Sequence, residues 1–452
     1  MRTILAIWVA RAVRFLVRVL GRGQGTTLPG RIALKIDPHL IGHLARGAKK
    51  GAILVSGTNG KTTTARLVLG ALRDSGEKVV ANDTSANLDS GIASALLAQA
   101  TLGGSLKTDY LVLELDEHAL PSVAGQLKVA AVVLTNLFRD QLDRAGEINT
   151  IVEQWKPVIE QLPREVTVIF NGNDPRLTYL AGQAARSVAF GLSETKVYGK
   201  ENKSAADSTH CPECGALLRG ERYMSHLGVL KCTSCKFASA EPTVRLTNFV
   251  QHDLESASLC VDVAGTKLKM STRFFGRYNA LNVLAALATV TALGVDVRQA
   301  AKSMQRVDKV FGRSEVAKLQ NNKVILHLAK NPTGYTEVLM SIAAIAPQPQ
   351  LVLALNDNWA DGQDISWIWD VDFEQVAPQI NKLLVTGLRS GDLAVRLHTA
   401  GSLSPIIVED ITEALDTAAK WGGDVHIVAS YTAMLEARAE LVKTGVLEGS
   451  WT

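Results

Sequence analysis

The stretch "ILVSGTNGKTTTARL", residues 53–67, decides the fold. Ile53 to Val55 is a short apolar run, as a buried parallel strand reads. It enters Gly57-Thr58-Asn59-Gly60-Lys61-Thr62-Thr63. The following "KTTTARLVLGALRDSG" sets Ala65, Leu69 and Leu72 on one helical face and stops at Gly76. Strand, glycine loop and helix in this order make a phosphate cradle. Glycines let backbone N–H groups turn toward an anion, and the helix N-terminus adds partial positive charge. Lys61 is placed to neutralise outer phosphates and the Thr62 hydroxyl to hold Mg²⁺. The spacing G-x-x-G-K-T is two residues shorter than the usual pattern. Magnesium needs more oxygen ligands. "YLVLELDEHAL" offers Glu114, Asp116 and Glu117 beyond an apolar run. Glu114 is best placed, because ligands of open parallel sheets bind past the carboxyl ends of strands.

Outward from the loop, "DYLVLELD", "AAVVLTNL" and "EVTVIFNG" repeat the buried-strand pattern, with helical stretches between them. A parallel sheet covered on both faces follows. Residues 204–240 interrupt it with cysteines, "LCVDVAGTKLKMSTRF" alternates like antiparallel strands, and "GRYNALNVLAALATVTALG" returns to helix. A second block runs through "KVILHLA", "QLVLALND", "KLLVTG", "SPIIVED" and "DVHIVAS". The expected class is α/β: a lead-in over 1–50, a central phosphate-loop ATPase domain over 51–312 with a cysteine insertion, and a smaller Rossmann-like α/β domain over 313–452. Hydrophobic residues make up 47% of the 452 and charged residues 20%, enough apolar material for such cores. A net charge of +4 is too small to argue for nucleic acid.

Of the five cysteines, four stand in "CPECGALLRGERYMSHLGVLKCTSC" as Cys211, Cys214, Cys232 and Cys235. The spacing C-x₂-C-x₁₇-C-x₂-C is that of a zinc ribbon. Four thiolates close the metal's shell, so the site reads as structural, without His210 or His226. This usage fits a reducing, cytoplasmic compartment. The fifth, Cys260, lies in an alternating strand with no histidine nearby in sequence, so the chain carries no evident cysteine–histidine glutaminase.

The N-terminal "MRTILAIWVARAVRFLVRVLGRG" is apolar, but Arg11, Arg14 and Arg18 interrupt it at helical spacing. No apolar run approaches the roughly 20 residues that span a bilayer. A basic amphipathic helix is expected, and two readings stay open. It lies on an anionic membrane surface at the inner face of the plasma membrane, or it packs on its own domain.

Several of these motifs, in order, resemble the Mur ligase family. "GTNGKTTT" is similar to the ATP loop of Mur ligases and folylpolyglutamate synthetases. "ELDEHAL" resembles E-V-S-S-H-A-L, "LTNLFRDQLD" T-N-L-x-x-D-H-L-D, "FNGNDP" N-x-D-D-P, "FGRYNALN" G-x-H-N-x-x-N, and "FGRSE" G-R-x-E. The resemblance implies ATP and Mg²⁺, with Glu114 on magnesium, Asn279 on adenine and Arg313 in the nucleotide set. It also implies the chemistry: ATP phosphorylates a carboxylate and an amine attacks the acyl phosphate.

The departures are informative. Gln141 stands where many members place a histidine on a second magnesium. His327 stands near the aspartate of D-Y-A-H, and "LAKNPTG" occupies that segment. Lys156 matches the family's carbamylated lysine only loosely. Residues 1–50 leave no room for a UDP-gripping domain. One branch fits these departures, the ligase-like subunit of the lipid II isoglutaminyl synthases. It implies amidation of the α-carboxylate of D-glutamate in the lipid II stem peptide, and a heterodimer with a GatD-type glutaminase that supplies ammonia. Two other readings stay open, a different Mur-like ligase and a non-catalytic ATP-binding scaffold of wall synthesis.

"LALNDNWADGQDISWIWDVDF", residues 353–373, is dense in aspartate and tryptophan. Asp357 falls just past a strand end, where α/β folds put functional groups. The resemblance implies that an acid of the ligase subunit completes the partner's cysteine–histidine pair by orienting its histidine. Asp357 is the first candidate, with Asp361 and Asp364 behind it. The Trp367-Ile368-Trp369 run reads as core or interface.

Overall fold

Strand β1 (Ala48–Ser56) ends in six consecutive buried residues. Its side chains alternate between two cores. Ile53 and Val55 join one with Val112 and Val133, while Leu54 joins the other with Leu111 and Leu134. Such a strand is apolar throughout because helices cover both faces of its sheet.

The computed structural model describes residues 2–19, 27–82, 87–139, 148–192, 209–224, 227–307, 313–319, 322–402 and 405–447. After β1 come β2 (Val79–Ala81), β3 (Thr108–Glu114), β4 (Val129–Leu134), β5 (Thr167–Asn171) and β6 (Ser187–Leu192). Then β7 (Leu218–Met224) and β8 (Leu227–Cys232) form a separate antiparallel hairpin, and β9 (Val244–Gln251), β10 (Ala257–Val263) and β11 (Thr266–Thr272) return to the main sheet. That nine-stranded sheet has the order β11-β10-β9-β6-β5-β4-β1-β3-β2. It is parallel from β2 to β9 and antiparallel in the β9-β10-β11 meander.

The second sheet contains β12 (Arg313–Leu319), β13 (Asn322–Leu328), β14 (Gln350–Ala354), β15 (Lys382–Thr386), β16 (Ile406–Ile407) and β17 (Val425–Ala429). Its order is β12-β13-β17-β14-β15-β16, parallel except for β12. Leu351 and Leu353 face one core, Val352 and Ala354 the other. The lead-in is no separate unit. Ala6, Ile7, Leu40 and Leu44 are buried in the same core as Leu54, and β1 starts at Ala48 rather than 51.

Several contacts among the described residues tie the halves, one of them an Arg139–Asp370 ion pair at 3.2 Å. Arg277 Nε donates to Glu337 Oε2 at 2.8 Å, both side chains largely buried. Asn59 and Asn331 exchange amide hydrogen bonds of 3.3 and 3.1 Å across the cleft. Phe275, from the strand-to-helix turn of the first half, is buried in the core of the second.

Candidate active site

In the first sheet β1 lies between β3 and β4. The segments leaving the carboxyl ends of these three strands therefore converge. The β1 loop is shaped by Gly57 at φ 129° and Gly60 at φ 87°. A Cβ on Gly57 would stand 2.3 Å from Thr135 Oγ1, and one on Gly60 2.0 Å from Asn282 Oδ1. Only glycine has both the backbone freedom and the space. The loop is then laced to the segment after β4. Asn59 N donates to Asn136 Oδ1 at 2.8 Å, Thr135 Oγ1 to Asn59 O at 2.8 Å, and Thr58 N to Asn136 O at 2.9 Å. No side chain caps the helix Lys61–Asp74, so its amino end turns its positive pole into the loop.

Thr62 Oγ1 donates to Glu114 Oε1 at 2.9 Å. Glu114 is buried at the end of β3. Its backbone N–H and C=O are both held by the Asn82 side chain at 2.8 Å, so an asparagine on the neighbouring strand end fixes where the carboxylate points. Lys61 is also buried. Its ammonium donates to the carbonyl of Thr58 at 3.2 Å and to Glu117 Oε2 at 3.3 Å. Trp155, fully buried, donates its Nε1–H to Glu117 O at 2.8 Å and steadies that turn. A glycine cradle, a lysine, a helix end, and a hydroxyl paired with a carboxylate make a donor set that fits a nucleotide's phosphates with Mg²⁺.

Asn279 does not stand at the front of this site. Its Nδ2 donates to Phe275 O at 2.7 Å and its Oδ1 accepts from Asn282 Nδ2 at 2.9 Å. Asn282 is the one that reaches Gly60 and the cleft. Asp174, from "FNGNDP", caps the helix Pro175–Ala181 and accepts from Leu137 N at 2.9 Å, so that motif braces the β4 segment. Lys156 lies 5.6 Å over the Tyr179 ring, with Glu160 at 3.9 Å. Arg313 opens β12, its backbone paired with His327. The Arg313 side chain, Gln141 and His226 lie outside the described residues.

The cleft between the halves is lined by Asn59, Asn136 and Asn282 on one side and His327, Lys330 and Asn331 on the other. Sequence reading passed over Asn82, Asn136, Asn282 and Asn331 as individual residues. The last three stand inside motifs it had singled out, so the signal was present. His327 Nε2 meets His426 Nδ1 at 3.0 Å, and its Nδ1 meets Ser314 Oγ at 3.1 Å. Burial pushes the His426 imidazole down to about 4.

The aspartates of residues 353–373 diverge. Asp357 pairs with Arg389, whose Nε and Nη2 both reach Oδ2 at 2.7 Å. Asp361 is buried and accepts from Thr432 N at 2.8 Å. Asp364 accepts from Ser366 N at 2.8 Å, opening a 3₁₀ turn at Ser366–Asp370. Among the described residues, the only group of three or more such side chains poised for a metal is Cys211, Cys214, Cys232 and Cys235, with sulfurs within 4.8 Å of one another.

The model of the Mur ligase middle domain matches residues 55–218, and that of the MurT ligase C-terminal domain matches 328–434. A lipid II isoglutaminyl synthase (glutamine-hydrolyzing) subunit MurT of Streptococcus pneumoniae is 33% identical over 457 residues, covering 99% of this chain and 98% of the relative. Its counterpart in Staphylococcus aureus strain COL is 32% identical, covering 96% of each. This chain belongs to the MurT family. Its fold is that of the Mur ligases. A pseudomurein peptide ligase type C from Methanothermus fervidus superimposes with a TM-score of 0.67 at 19% identity, covering 87% of this chain and 78% of that one. The folylpolyglutamate synthase of Mycobacterium tuberculosis complexed with ADP gives 0.62 at 16%, covering 92% and 96%. Within the family fold, Asn59 and Gly60 of the glycine loop line the interdomain cleft, and Thr62, two residues on, reaches Glu114.

Proposed function

We propose that this chain is the ligase subunit of a lipid II isoglutaminyl synthase, amidating the α-carboxylate of D-glutamate in the lipid II stem peptide. Near-full-length similarity to two subunits of that name carries the reading. ATP's terminal phosphoryl group passes to the carboxylate, giving an acyl phosphate and ADP. Ammonia then attacks the acyl carbon and phosphate leaves. Lys61 and the loop amides neutralise and orient the phosphates, since such transfers rest on positioning and charge stabilisation. Thr62 and Glu114 would hold Mg²⁺, which supplies further neutralisation of phosphate charge when bound. Asn282 and Asn59 line the nucleotide's approach. Asn279 acts through Asn282.

The ammonia comes from a second polypeptide. Cys260 faces Asn248 and Lys269 across its neighbouring strands, and neither can serve as a thiol's histidine partner. The GatD-type glutaminase would dock at the carboxyl edge of the second sheet. There Trp359 and Leu388 are 73% and 65% exposed beside Asp357, an apolar rim around an acid that suits an interface. Asp357 would use its remaining lone pairs to orient the partner's histidine, with Arg389 fixing its position.

The cysteine hairpin would hold structural zinc. Its own apolar core is four buried residues, too small to stand alone. Non-bonded sulfurs at 3.6 and 3.4 Å approach the spacing of about 3.8 Å expected for four thiolates on tetrahedral zinc. Backbone N–H groups of Ser234 and Cys235 both point at the Cys232 sulfur at 3.3 Å, an arrangement that suits a ligating thiolate.

The test is incubation with ATP, lipid II and either glutamine plus a co-purified glutaminase or ammonium salt, followed by mass analysis of the stem peptide. Conversion of acid to amide supports the reading. Addition of an amino acid instead would mean another Mur-like ligase, and ATP binding without product a scaffold.

A further inference from the structure

The N-terminal helix, Arg2–Val19, is apolar on two opposite faces. One is consumed by folding. Ala6, Ile7 and Ala10 are buried against the helices Leu28–Ile36 and Asp89–Gln99. The helix is pinned at both halves, Thr3 Oγ1 donating to Asp37 Oδ2 at 2.7 Å and Arg11 Nη2 to Ala100 O at 2.6 Å. The other face carries Ile4, Leu5, Trp8, Phe15 and Leu16, with Trp8 53% and Phe15 68% exposed. At 3.6 residues per turn these five fall on one stripe, opposite the buried one. Of the two readings of the sequence, the structure shows the packing on the domain. The helix packs on its own domain and still presents an apolar strip, where monomeric surfaces avoid contiguous apolar patches.

We propose that this stripe seats the protein on an anionic lipid bilayer, the helix lying in the plane of the interface. Three observations select that occupant. The helix carries Arg2, Arg11, Arg14 and Arg18 and no acid, the pattern of an interfacial helix. A second copy is disfavoured, because pairing the stripe with itself would bring like charges together. Beside the first turn, an open cleft is lined by His39, His43, Arg46 and Lys128; His43 is paired with Asp37 at 2.8 Å, which leaves Arg46 and Lys128 as the cations for phosphate headgroups. No described helix is long and apolar enough to cross a membrane, so the contact is peripheral, about 27 Å long at ~1.5 Å per residue. The proposal gains its purpose from the reading above, since a lipid-linked substrate is presented at such a surface.

The test is flotation of the full chain with phosphatidylglycerol or phosphatidylcholine vesicles, comparing the natural protein with a Trp8→Glu, Phe15→Glu double variant. Both side chains are exposed, so thermal unfolding should be unchanged. The natural protein should float with the anionic vesicles and far less with the zwitterionic ones, and the variant should lose at least about tenfold of that binding. Amidation of lipid II embedded in vesicles should fall with it, while amidation of a water-soluble stem-peptide fragment should not. Equal flotation of the two proteins, or none by the natural one, overturns the proposal. So does a dimer that the variant converts to monomer without vesicle binding. If the natural protein binds vesicles but amidates neither substrate with ammonium salt, the functional reading fails and the membrane surface stands.

Discussion

Lys61 and Glu117 illustrate how a single pair can serve both fold and chemistry. The ammonium is buried between loop carbonyls and the Glu117 carboxylate, and the account makes it a phosphate ligand as well. Lys61→Ala should lower amidation by about 10²-fold or more with either nitrogen source. It should also destabilise the protein by about 3 kcal/mol, because Glu117 is left buried and unpaired. Adding Glu117→Gln should recover the melting temperature but not activity, which separates the two effects. Asp357→Asn should behave differently, abolishing glutamine-driven amidation while sparing ammonia-driven amidation; loss of both would place the residue in the ligase site. His426 gives a pH dependence with a fixed sign. Its folded-state value is depressed by burial from 6.5 to about 4, so stability is full above pH 6.5 and falls as acidification proceeds toward pH 4, by up to ~3 kcal/mol. Denaturant melts at pH 7 and 4.5 should show a smaller difference for His426→Asn than for the natural chain.

Elements with a strong pattern were legible, and elements that depend on distant partners were not. β1, β3, β4 and β5 read as buried strands because both faces of their sheet are covered, giving unbroken apolar runs. β13, β14, β15 and β17 read the same way. β12 was passed over as a domain boundary, since "RSEVAKL" has no apolar run and gains its strand from pairing with β13. β2, three residues long, offers too little sequence to show a period. Within the site, the glycine loop and Glu114 were legible because spacing carries the chemistry. Asn82 was not, because its role comes from holding the Glu114 backbone 32 residues away, and Asn331, though inside a noted motif, meets Asn59 only in the fold. The cysteine spacing was legible, whereas its reach was not: Leu227, the first residue of β8, lines the interdomain cleft. Zinc assayed by atomic emission should be about one per chain, and Cys232→Ser should release it. With the hairpin loosened, the KM for ATP should rise while unfolding of the second sheet is unaffected.

At the scale of the whole molecule, two α/β halves face each other across a cleft bridged by polar ties. Asn59 and Asn331 form one of them, and Asn59 also belongs to the phosphate loop. Under the proposed function, Asn59 would link the nucleotide's phosphate loop to the second half. Asn331→Ala should raise the KM for ATP several-fold, in line with the loss of about 1 kcal/mol of hydrogen bonding, with little effect on the melting temperature. The proposed glutaminase edge lies on the same carboxyl side of the second sheet. β14, which leads to Asp357, is separated from β13, which leads to the cleft, by β17 alone, about 10 Å across two strand spacings. On the proposed function, ammonia released near Asp357 would enter the cleft from this same edge of the sheet. The central claim is that this chain transfers ammonia from a partner to a lipid-linked glutamyl carboxylate at the Lys61–Glu114 site. Mass analysis of the lipid II stem peptide after incubation with ATP, glutamine and the paired glutaminase tests it most directly. The account predicts an acid-to-amide change that needs both polypeptides with glutamine, and this chain alone with ammonium salt. An unchanged stem peptide under both conditions, from a chain that binds ATP, would contradict it.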